Sequence, residues 1–468
     1  MALSVGLDTA VKALRAHQLA VDVASHNIAN ALTPGFSRQR VLLRPVGLDG
    51  NAYMGRDSLL GRAGMGVDAS DVQRVRNPML DFQARQFLGA QAQFTALANA
   101  LQQAEFVFNE PTDEGLSVSL AAYWNAWHDV VNDPESASAR TALVHAATTL
   151  AVRLNRTHAN LTIQRDDLNI GVRALADEIN GISREIADLN LRIKQVELNG
   201  EMANDLRDRR DVLLDDLSKI ASISYSEQED STVVVYLGNH ELVVATQWRK
   251  VVVQPQAGNP GMDELVFELD GLPVQANTGK LAGLLEARDV TLLDLLAKVD
   301  DLANGLRTEV NALHQAGFGL DGTTGEDFFV GTGARDIAVN PLLMAAPEKI
   351  AAASAAGLPG DGSLALQIAN LQHTKTMAGG TLTIDEFYAS LVSVLGADTA
   401  RAQGLAETND LLMSHLESMR QSVSGVNIDE EVTNLTQAQH AYSAAARVLT
   451  AIDEMLDLLI NRTGMVGR

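Results

Sequence analysis

Three adjacent carboxylate pairs, Asp166-Asp167, Asp215-Asp216 and Asp300-Asp301, are the first residues whose types could do chemistry. Two carboxylates sharing a pocket can be driven to different pKa values and divide acid and base roles. All three pairs, however, fall in helical patterns beside apolar seams, where a solvated face accounts for them. VQANTGKL (274–281) approaches a phosphate-binding loop and fails twice. Val274 stands where the first glycine belongs, and Leu281 where a hydroxyl would hold magnesium. LDGTTGEDFF (320–329) gathers Asp321, Glu326 and Asp327 among glycines but lacks the alternating oxygen spacing of a calcium loop. G-x-S-x-G and H-E-x-x-H do not occur, and the ten histidines are scattered without metal-ligand spacing. Trp124 and Trp127 read as core aromatics, and His17 as a tolerated polar position on a helix seam. The sequence therefore points to no catalytic residue, no cofactor site and no metal-ligand set, and to a protein that is not an enzyme.

The elements that would have to position a site are mostly helices. Apolar residues make up 46% of the 468 and aromatics 4%, a composition that suits aliphatic, Ala-rich helix packing. The net charge is −23; residues 1–90 carry ten Lys/Arg against seven Asp, a net of +3, so the remainder carries −26. That balance argues against a nucleic-acid binder, which needs clustered Lys and Arg. With no run of eighteen apolar residues, no membrane insertion is expected. There are no cysteines, which excludes disulfides and thiol chemistry. The first residues lack the basic, apolar and cleavage regions of a secretory leader.

Leu3, Leu7, Ala10, Leu14, His17, Val21, Ala24 and Ile28 alternate by four and three, the seam of a helix that packs along another helix. Ala438, Tyr442, Ala445, Leu449, Ile452, Leu456 and Leu459 repeat that alternation at the other end. The spacing predicts that the two ends pair with each other or with copies of themselves. Between Asn30 and Ser37 the pattern stops. Pro34 disfavours helix at Thr33, and Pro34-Gly35 fits the centre of a type II turn before Phe36. Phe36, Arg38 and Arg40 would then share one side of an extended segment, with Ser37, Gln39 and Val41 on the other. Residues 44–70 read as loops or short strands. Leu80, Phe87, Phe94, Leu101 and Phe108 recur every seven residues. Leu168 to Val196 keeps an almost unbroken heptad seam, roughly 43 Å of helix, ended by Asn199-Gly200. Shorter helices follow at 204–220 and 284–314, and helices return at 384–421. Residues 231–245, 251–254 and 265–269 switch to strand patterning. The segment 316–380 has no clear period.

SHNIANALTPGFSRQ (25–39) resembles the N-terminal signature of the bacterial flagellar rod, hook and hook-associated axial proteins, with Asn27, Ile28, Ala29, Asn30, Thr33, Pro34 and Gly35 in the matching places. SGVNIDEEVTNLTQAQHAYSAAARVLTAIDEMLDLLI (424–460) is similar to the C-terminal signature of the same group. RDRRDVLLDDLS (207–218), GLLEARD (283–289) and VNALHQAGFGLDGTTGEDFF (310–329) resemble the hook-associated branch that joins hook to filament. Phe36 departs from the tyrosine commoner at that place, and the β-rich insert is short.

The resemblance implies a mainly α fold whose N- and C-terminal helices pair as a coiled coil, with a long helical-bundle body and a small β-rich inserted domain. Its divisions would be 1–35 with 425–468 as the terminal coiled coil of the inner tube, 36–221 with 281–424 as the helical body, and 222–280 as the β-rich outer domain. It implies a structural axial protein at the hook–filament junction that permits filament assembly. The interface with other subunits would use Leu3, Leu7, Leu14, Val21, Asn27, Ile28, Asn30, Thr33, Pro34, Gly35, Phe36, Tyr442, Leu449, Ile452, Leu456 and Leu459. Asn27 and Asn30 are expected to offer their amides to a neighbouring subunit, or Asn30 only to end its helix. Implied partners are the hook protein, a second junction protein (hook-associated protein 3), copies of the chain in a helical ring, the flagellar export apparatus, and a cytoplasmic export chaperone held at Tyr442, Leu449 and Leu456. The implied location is extracellular, on the flagellum, reached without a cleaved signal peptide. A hook or distal rod protein is the alternative within the group, although the 168–196 helix argues against a β-dominated hook protein. An exported adhesin or enzyme is the alternative of another class.

Overall fold

The computed structural model describes residues 2–46 and 66–462. Residues 47–65, most of the stretch read as loops or short strands, lie outside the described residues, as does the side chain of Leu3.

The terminal helices lie side by side. α1 (Ala2–Asn30) and α11 (Ile428–Asp457) run antiparallel: a Cβ on Gly6 would meet Ile452 Cδ1 at 3.3 Å, while Asn27 at the other end bonds Glu431. Their seam is built largely of alanine. Ala10, Ala16, Ala24, Ala438 and Ile452 are the buried apolar residues of the pair. Small side chains let the backbones approach closely, and the larger residues flanking them are left half covered.

The body is a bundle around α4 (Ala137–Glu197), whose 61 residues make roughly 92 Å of helix. The heptad pattern at 168–196 marks only its second half. The first half packs against α3 (Leu116–Asn132), which buries Tyr123, Trp124 and Trp127 completely, with Tyr123 against Phe328 and Phe329 and Trp127 against Phe328. α2 (Pro78–Phe108) starts on an Asn77 cap with Pro78 in its first turn. It runs antiparallel to α10 (Ile384–Ser424), since Arg420 reaches Asp81 at one end and Tyr388 meets Phe108 at the other. A reciprocal Thr383–Glu386 capping box opens α10.

Strands appear where the period changes. β1 (Gln39–Pro45) and β2 (Val67–Arg74) form an antiparallel ribbon against α1. β3 (Ile223–Glu227), β4 (Val233–Leu237), β5 (His240–Val244) and β6 (Gln247–Trp248) make a four-stranded antiparallel sheet in that order. β7 (Val251–Pro255) pairs with β8 (Asp263–Phe267). Both pack on the second half of α4 around a core of their own, with Val172, Ile179, Ile186 and Ile193 from the helix. The segment 316–380, without period in the sequence, holds β9 (Phe329–Val330), β10 (Ala338–Val339), α8 (Pro341–Ala345), α9 (Ser363–Ala369) and turns. Its order comes from side-chain anchors. Asn311 of α7 (Leu292–His314), the helix after α6 (Lys280–Glu286), accepts from Phe328 and Phe329 N–H and donates to Phe329 O.

Candidate assembly interface

Among the described residues, the terminal pair meets the body along the β1–β2 ribbon and at a joint built around the turn at Thr33. α1 ends because Asn30 turns its amide back on the helix. Its Nδ2 donates to His26 O at 3.0 Å, and its Oδ1 accepts from Thr33 Oγ1 at 3.2 Å. Phe36 N–H closes the turn on Thr33 O at 3.2 Å. Gly35 has φ +79°, and a Cβ there would sit 2.3 Å from Val212 Cγ2. Both the backbone and the contact with α5 (Asn204–Ile220) therefore require glycine. Phe36 packs edge-on against the His26 ring, 5.4 Å between centroids.

The extended segment alternates as its pattern predicts. Ser37 and Gln39 point into α5: Ser37 donates from N–H and Oγ to Asp208 at 2.8 and 2.6 Å, and Gln39 donates to Asp205 at 2.8 Å. Arg38 points the other way, to Glu431 at 2.7 Å and Glu430 at 2.9 Å, while its N–H donates to Ser424 O at 2.8 Å. Glu431 is only 3% exposed. A buried carboxylate is tolerated when it is paired and hydrogen-bonded, and Asn27 supplies the second partner, Nδ2 to Glu431 Oε2 at 3.0 Å. The same Asn27 amide pairs with the backbone of Gln39 in both directions, donating to its O at 2.8 Å and accepting from its N–H at 2.9 Å. One side chain thus ties α1, α11 and β1 together.

Below the joint, α5 presents Asp208, Asp211 and Asp215 on one face. Arg74 meets Asp208 at 2.9 Å and Asp211 at 2.7 Å; Arg76 meets Asp211 at 2.9 Å and Asp81 at 2.8 Å. Arg85 meets Asp215 at 2.6 Å, and Arg420 meets both Asp215 and Asp81 at 2.9 and 3.0 Å. Burial pushes the Asp211 carboxyl up, but Arg76, Arg74 and Arg85 together hold it well below the usual carboxylate range. At Asp208 burial prevails over Ser37 and Arg74 and raises the pKa. Asp215, expected on a solvated face, is instead part of this network. Asp166 and Asp167 do lie exposed on α4.

The expected interface residues fall into separate groups. Leu7, Tyr442 and Leu459 are 37%, 40% and 47% exposed, and Thr33, Pro34 and Gly35 lie at the surface. Leu14, Val21, Ile28, Phe36, Leu449 and Leu456 are half-buried, and Ile452 is buried in the seam. Asn27 and Asn30 do not offer free amides to a neighbour, because both amides are used inside the chain. Arg38, Gln39, Asp208 and Glu431, absent from the sequence reading as interface residues, hold the joint. Their signal was the alternation at 36–41 and the D-E-E run at 429–431.

The motifs that resembled chemistry have structural uses. Gly279 of the near phosphate loop donates its N–H to Gly89 O at 2.9 Å, and a Cβ there would lie 2.5 Å from Ile220 O. Asp321 accepts from Thr323 and from Lys349 Nζ. Among the described residues no group of three or more His, Asp or Glu is placed to hold a metal ion, and no helix is long and apolar enough to cross a membrane.

Three family matches cover this architecture: residues 101–329 match the flagellar hook-associated protein FlgK helical domain, 419–462 the flagellar basal body rod FlgEFG protein C-terminal, and 7–36 the flagella basal body rod protein. The chain is 30% identical to flagellar hook-associated protein 1 of Bacillus subtilis, across 99% of both chains. It is 26% identical to the protein of that name from Escherichia coli, across 97% of this chain and 99% of the relative. A flagellar hook junction protein FlgK from Burkholderia pseudomallei shares the fold, with a TM-score of 0.65 and 16% identity over 73% of this chain and all of that one. The signatures at both ends, the helical middle and full-length similarity agree, and the chain belongs to the flagellar hook-associated protein 1 family.

Proposed function

We propose that this chain is a structural subunit of the flagellar axis that seats on the hook and carries the filament. The observation that carries the reading is the terminal helix pair, which is joined to the body while large apolar side chains of α11 and of the π-helical turn after it (Leu458–Arg462) stay uncovered. Val448 is 52% exposed, Met455 49%, Leu458 55% and Ile460 74%. Uncovered large apolar side chains grouped at one end of the terminal pair mark an interaction site. In this reading 1–35 with 425–468 lines the inner tube, 36–221 with 281–424 forms the wall, and 222–280 faces outward. Copies of the chain form a helical ring between the hook protein and hook-associated protein 3. Before export through the flagellar apparatus, without a cleaved leader, a cytoplasmic chaperone covers α11 around Tyr442, Leu449 and Leu456.

A clean deletion of the gene tests this, scored by electron microscopy of hooks and by flagellin in the medium. Hooks that end bare while flagellin spills into the medium are expected. Missing hooks would move the protein to the rod or hook, and normal filaments would overturn the reading.

A further inference from the structure

A groove of 410 Å³ lies where α1, α11 and β1 meet. Ala20, Ala24, Ala438 and Ala441 form part of its lining, so a helix could approach closely there. Arg40 lines the same groove, exposed, and no carboxylate pairs with it among the described residues. Leu43, another lining residue, is 44% exposed. The groove thus offers an alanine bed, an uncovered leucine and a free cation.

The matching surface is at the far end of α11 and in the π-helical turn, Leu458–Arg462, that continues it. Met455, Leu458 and Ile460 are about half or more exposed, and beside them Asp453 and Glu454 are exposed and pair with no cation among the described residues. Apolar residues flanked by free carboxylates complement an apolar groove with a free guanidinium. The two surfaces cannot meet within one chain. Gln437 at the groove and Met455 stand 18 positions apart on one continuous helix, roughly 27 Å.

Resting on the reading of a self-assembling axial subunit, we propose that segment 453–460, the end of α11 with the turn after it, docks head-to-tail into the α1–α11–β1 groove of a second copy, Asp453 and Glu454 facing Arg40. Such a contact uses different patches on the two copies, so it repeats as a helix or closes as a ring. Neighbours so joined are offset along α11 by roughly 27 Å, the distance between the two patches.

The chain has no cysteine, so a designed pair reports this contact without background. Gln437→Cys and Met455→Cys change exposed positions. They lie too far apart to bridge within one chain, because a disulfide needs Cα atoms within about 7 Å. The double variant replaces the natural chain in cells, and isolated hook–filament structures are oxidised and run under denaturing conditions. A ladder of linked chains is expected, with each single variant giving at most dimers. In parallel, Arg40→Glu should lose attached filaments, and adding Asp453→Arg should restore them. Filaments restored by the double-cysteine chain with only monomers after oxidation would overturn the docking and leave the junction role standing. Cells lacking the gene that still carry normal filaments would overturn both.

Discussion

At the residue scale the chain relies on buried asparagines that pair with backbone as a strand would. Asn169, Asn180 and Asn190 stand about three turns apart on α4. Asn180 donates to Val251 O and accepts from Val251 N–H, at 2.7 and 2.8 Å. Asn190 donates to Val233 O and Ala245 O, and accepts from Val233 N–H and from Arg210. Asn169 does the same at Asp263 N–H and its carboxylate. Each amide starts a strand of the β region against the helix, as Asn27 starts β1. Replacing Asn190 by Ala strands two carbonyls, one N–H and part of the buried Arg210 guanidinium. Arg210 is already lowered to about 10 by its burial. The expected loss is on the order of 2–3 kcal/mol in urea unfolding, with faster hydrogen exchange at Val233. An unchanged midpoint would show that water replaces the amide. His314 is the second anchor. Its Nδ1–H donates to Glu326 O at 2.7 Å and its Nε2 accepts from Ala351 N–H at 2.9 Å, so the native ring is neutral. Burial lowers its pKa to about 4. The unfolded ring binds a proton near pH 6.5, so stability is intact above that pH and is lost as pH falls toward 4, by about 3 kcal/mol in all. His314→Gln should be less stable at pH 7.5 yet lose less between pH 7 and 4.5; an equal loss would mean other groups govern the acid limb.

At the scale of elements, the two terminal helices are held much less firmly than α4. Of the described side chains, α1 buries only Ala10, Ala16, Ala24 and Asn27, while α4 buries Leu143, Leu150, Leu161, Ile179, Ile186 and Ile193 among many. Three alanine methyls contribute about 0.8 kcal/mol each, and ordering one backbone residue costs about 1–2 kcal/mol before helix hydrogen bonds offset part of it. Limited proteolysis of the dilute chain should therefore cut within 2–25 and 440–460 well before α4; equal resistance would mean that the pair is stable without neighbours. This contrast also explains what could be read in advance. The seams of α1, α11 and the 168–196 stretch were legible because the alternation of four and three persists over their length, in Leu, Ile and Val at 168–196 and with Ala, His17 and Tyr442 among the aliphatics of the terminal pair. The turn at 33–36 was legible because Pro-Gly fixes its geometry. The first half of α4 was not, because Thr157, Gln164 and Arg165 are buried polar residues that interrupt its seam. Nor was the segment 316–380, whose order rests on Asn311 and His314 side chains and not on any period. The joint was half legible: alternation at 36–41 gave the directions of Ser37 and Arg38, but not their partners, which lie about 170 and 390 residues away.

At the scale of the whole molecule, charge and coverage are divided in a way that suits a subunit handed from one partner to the next. Residues 1–90 are net +3 and the remainder −26, so the proposed contact between copies would set residues of the basic segment against an acidic one. Arg38, Arg74, Arg76 and Arg85 are neutralised within the chain, whereas Arg40 and Arg44 on β1 are exposed and pair with no carboxylate among the described residues. The α11 face assigned above to the chaperone, around Tyr442, Leu449 and Leu456, overlaps the 453–460 segment assigned to a second copy. On these two proposals one helix cannot hold both at once, so a chaperone seated there would also keep copies apart before assembly. Deleting 438–460 should abolish chaperone binding in a pull-down and leave the body's thermal transition in place, because α4 and its cores do not draw on α11. The Asp453→Arg chain should still bind the chaperone, whose hold rests on the apolar seam. Retained binding by the deletion chain would place the chaperone elsewhere, and self-association would then need a separate brake.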